Sequence, residues 1–469
     1  MTPAVLVAFP VVMRQLSGVD ALHVLEENAR QHMHTVKIAI LGPRDGAAVP
    51  SDDVKAWARE RLPRIAPFRW QVRKIPLGLG RPVFIDVGPF DVDRHVVVES
   101  LAWPGSDEQL DEVVSRIVSR RLPRDRPLWE LTIVEGLSGE RVALVFKIHH
   151  AIMDGQASVR FLELAFDGGA DEPLGEVPVV AEPMPTAGRL VGFALRSQVR
   201  QYRHAGTVFK RSIASVRFNR AHKRSGAPPI VNPMAGPATH FNKRLGPERI
   251  YVDLTVPFAS VKAVSTATGA TVNEVFVTLC GGALRRYLAE HGGPIDRSLT
   301  TSMPVSLRTP EELDHFGNRT SYWYVSLGSD IADPIERLAK VKDSLGAARA
   351  WAEGDTELFS AWQDYYLLFG KLTLKSLGIV QRIVGRPLFN AVVSNVRGPR
   401  DLSLAGAPVV AVRSMGPITL LLGVNITAWS YREDFSIGLQ SCREFMPDLR
   451  RLGDHIRDEL AALQAATVS

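Results

Sequence analysis

The sequence has little cysteine: only Cys280 and Cys442 occur among its 469 residues, and they form no CxxC pair. A disulfide framework and a metal site built from thiolates are therefore disfavoured, and a reducing, cytoplasmic compartment is expected. The sequence also lacks the HExxH pattern of zinc peptidases and the GxSxG nucleophile elbow of serine hydrolases. These absences argue against a bound metal and against a serine acyl-enzyme.

Long apolar runs are scarce as well. The N-terminal stretch MTPAVLVAFPVVM is apolar over thirteen residues, which is too short to span a bilayer, and it lacks the basic leading region and cleavage site of an export signal. Because MRQLSGVDALHVLE begins at Met13 and resembles a natural start, residues 1–12 are either an over-extended translation start or a loose apolar arm. With 45% hydrophobic and 23% charged residues, the composition is that of an ordinary globular protein.

The length predicts more than one domain, because single hydrophobic cores usually stop growing at about 250 to 300 residues. Two Pro-rich stretches interrupt the helix and strand patterns, one over residues 170–186 and one in GAPPIVNPMAGP, residues 226–237. Such stretches are typical of exposed connections. We therefore predict an N-terminal domain over 1–185, a linker over 186–240 and a C-terminal domain over 241–469.

The positive charge is concentrated in the linker. Residues 190–226 contain no Asp or Glu and nine basic residues: Arg196, Arg200, Arg203, Lys210, Arg211, Arg217, Arg220, Lys223 and Arg224. Since the whole chain has a net charge of +6 and this segment contributes +9, the rest of the chain has a net charge of −3. Apolar residues recur near helical spacing in this segment, which predicts a basic amphipathic helix. Two interpretations stay open: a helix on an anionic membrane or lipid-droplet surface, or a solvated helix pair that joins the domains. Nucleic-acid binding is disfavoured because no binding motif accompanies the charge.

Helix and strand patterns alternate along both halves of the chain. SDEQLDEVVSRIVSRRL opens with Ser106 and Gln109 in capping-box spacing and predicts a helix. LWELTIVEGLSGERVALVFKI predicts a hairpin, and its second strand is so apolar that it should be central in a sheet. TVNEVFVTLCGGALRRYLAEHGG predicts a long helix in the second half. The fold class is therefore α/β, with mixed sheets and packed helices.

Two adjacent histidines stand where the central strand ends, in HHAIMDG. Successive side chains of a strand point to opposite faces, so His149 and His150 should not address one cleft together, and joint binding of one metal is disfavoured. A neutral imidazole can take a proton from a hydroxyl or thiol, and we assign that task to His150. Asp154 should cap the following helix or pair with an arginine, and Gly155 should permit a close turn.

The HHxxxDG pattern resembles that of the chloramphenicol-acetyltransferase-like acyltransferases. Further stretches narrow the resemblance to the bacterial wax ester synthase/diacylglycerol acyltransferase family: LSGVDALHVLE, PFRW, RPLWELTIVEGL, TVNEVFVTLCGGALRRYL, MPVSLR, GNRTSYW, SNVRGP and GVNITAWSY. The resemblance extends from about residue 16 to the C-terminus. It implies two similar domains around an active-site tunnel, acyl-CoA as donor, diacylglycerol or a long-chain alcohol as acceptor, and no cofactor.

The resemblance also implies roles for individual residues. His150 would deprotonate the acceptor hydroxyl, with His149 and Asp154 in the same catalytic motif and Gly155 beside the substrate. Asn273 corresponds to the Asn of the family's Asn-Asp pair and would orient a helix or the substrate. The Asp of that pair is Glu274 here, and its spacing from Thr271 also fits a capping box. Motif residues Arg308 and Asn395 suit strand-end scaffolding at least as well as catalysis.

Two other functions remain open at this point. An acyltransferase of the same superfamily could act on a different hydroxyl, such as that of a polyketide or sugar, because the tunnel sets the acceptor. A lipid-binding homologue could retain the scaffold without catalysis, and Glu274 in place of the family Asp keeps that alternative open.

Overall fold

A computed structural model describes residues 13–169, 174–177, 184–203, 205–226, 230–232, 234–309, 312, 316–366 and 387–468 of the chain. The predicted N-terminal arm, residues 1–12, and most of the predicted crossover at 170–186 lie outside these ranges. The strands are β1 Met13–Gln15, β2 His34–Leu41, β3 Trp70–Arg73, β4 Val83–Asp86, β5 Val96–Ser100, β6 Trp129–Leu137, β7 Arg141–His149, β8 Arg249–Pro257, β9 Thr300–Ser306, β10 Thr320–Ser326, β11 Ala391–Arg397, β12 Ser403–Leu404, β13 Ala407–Met415, β14 Val424–Tyr431 and β15 Asp434–Cys442. The helices are α1 Gly18–Glu26, α2 Ser51–Arg61, α3 Asp107–Ser119, α4 Gly155–Ala165, α5 Ala187–Arg203, α6 Ala205–Arg224, α7 Phe258–Thr268, α8 Val272–Glu290, α9 Pro334–Tyr366 and α10 Leu449–Val468.

The first large sheet has the strand order β12-β13-β2-β7-β6-β5. The predicted hairpin of β6 and β7 is confirmed, since the two strands pair antiparallel around a short loop. β5 runs parallel to β6, which makes the sheet mixed. β7 is buried from Val142 to its end because strands pair on both of its edges and residues pack on both of its faces. The sequence prediction of a central strand is therefore confirmed.

The second large sheet has the order β10-β9-β11-β14-β15-β8 and is also mixed. Its central strands β9, β11 and β14 are parallel, and its outer pairs are antiparallel. Successive side chains of β14 point to opposite faces of the sheet. Val424, Ile426 and Ala428 pack in the apolar core under the helices, whereas Asn425 and Thr427 face a cavity. The α/β fold with two sheet-rich halves is thus confirmed.

Two strands of the second half, β12 and β13, belong to the first sheet. β13 pairs antiparallel with β2, from Val409 opposite Leu41 to Met415 opposite Val36. A division of the chain at residue 241 does not anticipate this exchange, because strand pairing joins segments that lie far apart in sequence. The division into 1–185, 186–240 and 241–469 stays a prediction.

Local signals at the helix ends agree with the structure. Ser106 and Gln109 form the predicted capping box at the start of α3, and Thr271 and Glu274 form another at the start of α8. The capping explanation of Glu274 is therefore confirmed: its carboxylate accepts a hydrogen bond from the Thr271 backbone N–H at 2.7 Å.

The basic segment folds into the helices α5 and α6. Leu190 and Ala194 of α5 pack against the small sheet β1-β4-β3, as the interpretation of a joining helix pair requires. Large apolar side chains of both helices are exposed: Leu195 and Val199 of α5, and Phe209 and Ile213 of α6. Among the residues that the structure describes, no helix is both long and apolar enough to cross a membrane.

Candidate active site

His150 stands at the junction where β7 ends and α4 is about to begin. Its backbone N–H donates to the carbonyl oxygen of Met33 at 2.7 Å, and its own carbonyl oxygen accepts from Nδ2 of Asn318 at 2.7 Å. These two bonds hold the residue between a strand of the first sheet and a loop of the second half. Its imidazole lines a cavity, so the reacting group predicted from the sequence is accessible.

His149 points away from this cavity. Its side chain is fully buried, and its Nδ1 accepts a hydrogen bond from the Ala151 backbone N–H at 3.1 Å. Burial, followed by the nearby Arg124 charge, lowers the pKa of His149 well below the ordinary value. The predicted separation of the two histidines into cleft and interior is confirmed, although His150 has already left the strand.

Asp154 ties the histidine motif to the second half of the protein. One carboxylate oxygen accepts from the Ala157 backbone N–H at 2.9 Å and caps α4. The other accepts from the Arg308 guanidinium at 2.5 Å and from the Arg319 backbone N–H at 3.0 Å. Both members of the Asp154–Arg308 ion pair are buried. The sequence analysis left helix capping and pairing with an arginine as alternative roles of Asp154, and in the structure Asp154 does both.

Gly155 begins α4 directly beside β11. A Cβ atom built at this position would lie 2.9 Å from Cγ2 of Val396, which is too close for any side chain. The glycine therefore permits close packing of α4 on β11 next to the cavity. The turn into α4 does not require a left-handed backbone at this residue.

The structure does not bring Asn273 into this constellation. Asn273 is half-buried in the first turn of α8 and is not among the described residues that line the cavity. Its assignment to substrate binding stays a prediction. Asn395 also points away, because its neighbours Ser394 and Val396 are the β11 residues that face the cavity.

The cavity has a volume of about 860 Å³ and lies between the two large sheets. One wall is formed by α1, β2 and the histidine junction, and the other by β9, β10, β11 and β14. Polar side chains alternate along the strands of the second wall: Ser302, Thr320, Tyr322, Ser394, Asn425 and Thr427. Residues from both halves of the chain line the cavity, so neither half forms the site alone.

The sequence analysis missed several titratable residues of the cavity, among them His23 and Lys37. His23 is on the inner face of α1, where Val19, His23 and Glu26 recur at helical spacing. Lys37 places a charge within the buried β2 strand, HTVKIAIL. Each had a signal in the sequence: a shared helix face for His23, and a charge within a buried strand for Lys37.

The surroundings of His150 favour its neutral form. Burial lowers its pKa below the ordinary value, and the Lys37 charge lowers it further, whereas Asp154 acts in the opposite direction. A neutral ring nitrogen can accept a proton, so the electrostatics fit a general base at neutral pH. Within the described part of the chain, no group of three or more His, Cys, Asp or Glu side chains could hold a metal ion.

Comparisons with known proteins agree with this arrangement. Residues 16–276 match the wax ester synthase/diacylglycerol acyltransferase catalytic domain, and residues 316–464 match the WS/DGAT C-terminal domain. A Mycobacterium tuberculosis protein named "Putative diacyglycerol O-acyltransferase Rv0221" is 32% identical over 431 residues, which cover 91% of each chain. A second Mycobacterium tuberculosis protein, named "Putative diacyglycerol O-acyltransferase Rv3087", is 33% identical over 441 residues, which again cover 91% of each chain.

Solved structures show the same fold. The wax ester synthase/diacylglycerol acyltransferase from Marinobacter aquaeolei VT8 superposes with a TM-score of 0.70 at 24% identity, covering 97% of this chain and 100% of that one. The first condensation domain of the calcium-dependent antibiotic synthetase superposes with a TM-score of 0.61 at 15% identity, covering 96% of both chains.

Proposed function

Because the chain belongs to the wax ester synthase/diacylglycerol acyltransferase family, we propose that it transfers an acyl group from acyl-CoA to the hydroxyl of diacylglycerol. Long-chain fatty alcohols are proposed as further acceptors, which would give wax esters. The observation that carries the proposal is the position of His150, whose imidazole faces a cavity formed by both halves of an acyltransferase fold.

In the proposed reaction a ring nitrogen of His150 removes the proton of the acceptor hydroxyl. The hydroxyl oxygen then bonds to the thioester carbon, and the carbonyl electron pair moves onto its oxygen. When this tetrahedral oxyanion collapses, the carbon–sulfur bond breaks, and the proton on His150 passes to the departing CoA thiolate. No acyl-enzyme forms, and the scheme needs no cofactor besides acyl-CoA as co-substrate.

The remaining motif residues support this scheme by holding His150 in place. Asp154 fixes the start of α4 and binds Arg308 of the second half, so the loop that carries His150 is tied at both ends. Gly155 lets α4 approach Val396 closely. Such rigidity favours a general base, because catalysis depends on its distance from the reacting hydroxyl.

One assay tests the proposal and its alternatives. Purified protein is incubated with labelled palmitoyl-CoA and either dioleoylglycerol or hexadecanol, and the products are separated by thin-layer chromatography. Labelled triacylglycerol supports the proposed activity, and labelled wax ester supports the second acceptor class. Release of CoA without either product would favour a different acceptor hydroxyl, and absence of both CoA release and product would favour a lipid-binding homologue.

We also propose that α5 and α6 bind the anionic inner surface of the plasma membrane or a lipid droplet. Basic and apolar side chains share the exposed surface of these helices, which suits contact with anionic headgroups. The test changes the exposed Arg196, Lys210, Arg217 and Arg220 to Gln and measures sedimentation with vesicles of phosphatidylglycerol and phosphatidylcholine. Unchanged sedimentation of this variant would contradict membrane binding through the helices.

A further inference from the structure

Two lysines are buried on neighbouring strands of the first sheet, and their surroundings differ. Lys147 of β7 has its Nζ 2.9 Å from a carboxylate oxygen of Glu130, and it also donates to the Ile117 carbonyl oxygen at 3.2 Å. Lys37 of β2 donates instead to two neutral hydroxyls, those of Thr35 at 3.0 Å and Ser414 at 2.7 Å. Only one of the two buried ammonium groups is therefore paired with a carboxylate.

The Lys37 ammonium rests over an aromatic face rather than beside an anion. Its Nζ lies 4.9 Å from the centroid of the Trp429 ring, and no described carboxylate is within ion-pair distance. Asp154 acts on it from farther away and raises its pKa, but Asp154 is already bound to Arg308. Burial outweighs this effect and lowers the pKa of Lys37 to about 7. A buried cation without an anionic partner is costly, so the site would gain from a negative charge delivered by a ligand.

Lys37 shares a cavity wall with His150. Thr35 and Lys37 are two residues apart on β2, so their side chains point to the same face of the strand, and both line the cavity. His150 is bonded to the backbone of Met33, and the Lys37 Nζ turns back towards Thr35, two residues farther along the strand. His150 and Lys37 therefore both border the cavity in which the proposed reaction takes place.

We propose that Lys37 binds the thioester carbonyl oxygen and stabilises the negative charge that forms on it during acyl transfer. The inference rests on the proposed function and adds a catalytic residue to it. The ammonium donates a hydrogen bond and keeps its proton, while His150 alone carries the proton from the hydroxyl to the CoA sulfur. Close to the reacting bond, the proposed acceptors and the thioester are neutral, so the oxyanion is the first negative charge that forms there, before the CoA thiolate departs.

The assignment predicts a particular kinetic loss. Lys37→Met should lower kcat about 10²- to 10³-fold, as expected for one oxyanion donor, and change KM for palmitoyl-CoA only a few-fold. The variant should fold, because replacing an unpaired buried cation by an apolar side chain of similar shape removes a desolvation cost. Lys147→Met is the matched control: it removes the other buried lysine, and its kcat should remain close to that of the wild type.

A pH profile adds a readout that a structural role would not change. The other titratable groups that line the cavity are His23, Glu26, His150, Asp154, Tyr322 and Tyr324. The kcat of the wild type should fall above neutral pH, where Lys37 loses its proton. The kcat of Lys37→Met should not show this decrease. Glu26→Gln is measured as well, because burial raises the pKa of Glu26 to about 7, and this variant should retain the fall.

A binding measurement tests Lys37 without turnover. A trifluoromethyl ketone analogue of palmitoyl-CoA forms a tetrahedral hydrate that resembles the oxyanion, and its affinity is measured by calorimetry for the wild type, Lys37→Met and Lys147→Met. Weaker binding to Lys37→Met alone, by about tenfold or more, supports the inference. Equal affinity, retained kcat or a loss confined to KM would overturn it and leave the proposed function intact. If the wild type does not bind the analogue, both proposals fail.

Discussion

The imidazole rings of His23 and His150 lie 4.7 Å apart, centroid to centroid, at an interplanar angle of 43°. They come from α1 and from the β7–α4 junction, which are separated by more than a hundred residues. Burial lowers the pKa of both rings, and a charge on His150 would lower the pKa of His23 further. The two rings therefore form a neutral pair at the cavity wall, and separate substitutions of His150 and His23 distinguish their roles.

Replacing His150 by Ala should remove most acyl transfer. A positioned general base typically contributes about 10²- to 10⁴-fold, so kcat should fall by a factor in that range while the fold persists. Product formation from labelled palmitoyl-CoA measures the change, and circular dichroism checks the fold. Near-normal turnover in His150→Ala would refute the assigned mechanism.

Replacing His23 by Phe should have a much smaller effect. Phenylalanine keeps a flat ring beside His150 but has no ring nitrogen to accept a proton, so we expect kcat to fall less than about tenfold, below the usual contribution of a base. The same product assay compares His23→Phe with His150→Ala. An equal loss of kcat in both variants would show that His23, or the two histidines together, acts as the general base.

Replacing His149 by Ala should act mainly on stability. The ring is fully buried and accepts a hydrogen bond from the Ala151 N–H, so its removal leaves a void and an unpaired donor. We expect the free energy of unfolding to fall by about 1–3 kcal/mol, measured by urea unfolding. A loss of kcat as large as that of His150→Ala in fully folded protein would contradict this division of roles.

The buried pair of Asp154 and Arg308 should show strong coupling. Asp154→Asn removes the carboxylate charge from its buried ion pair with Arg308, and we expect a loss of about 3–5 kcal/mol in unfolding free energy. Arg308→Met in the same chain should add less than its own separate loss, because the ion pair that both substitutions remove is then already gone. A double-mutant cycle by urea unfolding measures the coupling, and purely additive losses would argue against a working ion pair.

Stability should depend on pH through Asp20. Burial raises the pKa of Asp20 to about 6 from an ordinary value of 3.8, although Asn318 donates a hydrogen bond to it. The folded state therefore holds this proton more tightly than the unfolded state, and the contribution, fully present below about pH 4, is lost as the pH rises through about 6. Relative to Asp20→Asn, the wild type should lose about 3 kcal/mol of unfolding free energy across that window.

The comparison with Asp20→Asn isolates this one carboxyl from the buried histidines, whose lowered pKa values act in the opposite direction. Unfolding free energies of both proteins are measured from pH 4 to pH 8. Parallel curves would show that Asp20 titrates alike in the folded and unfolded states.

Local sequence predicted much of the secondary structure. The Ser106–Gln109 capping box, the β6–β7 hairpin and the helix after HHAIMDG all follow from residues within a few positions of one another. Hydrogen bonds of caps and the periodicity of helix and strand faces are short-range properties, so they can be inferred from neighbouring residues. The separation of His149 and His150 into interior and cleft was predicted from the same alternation.

Tertiary structure alone decided which distant residues meet at the site. Arg308 reaches Asp154 across 154 positions of sequence, β13 leaves its own half to pair with β2, and His23 and Lys37 join His150 from other elements. The pairing of distant segments depends on the free energy of the whole packed chain, which no short window contains. The sequence by itself therefore determined the histidine motif and its strand-end position, whereas the charges and rings around His150 came from the packing of the two sheets.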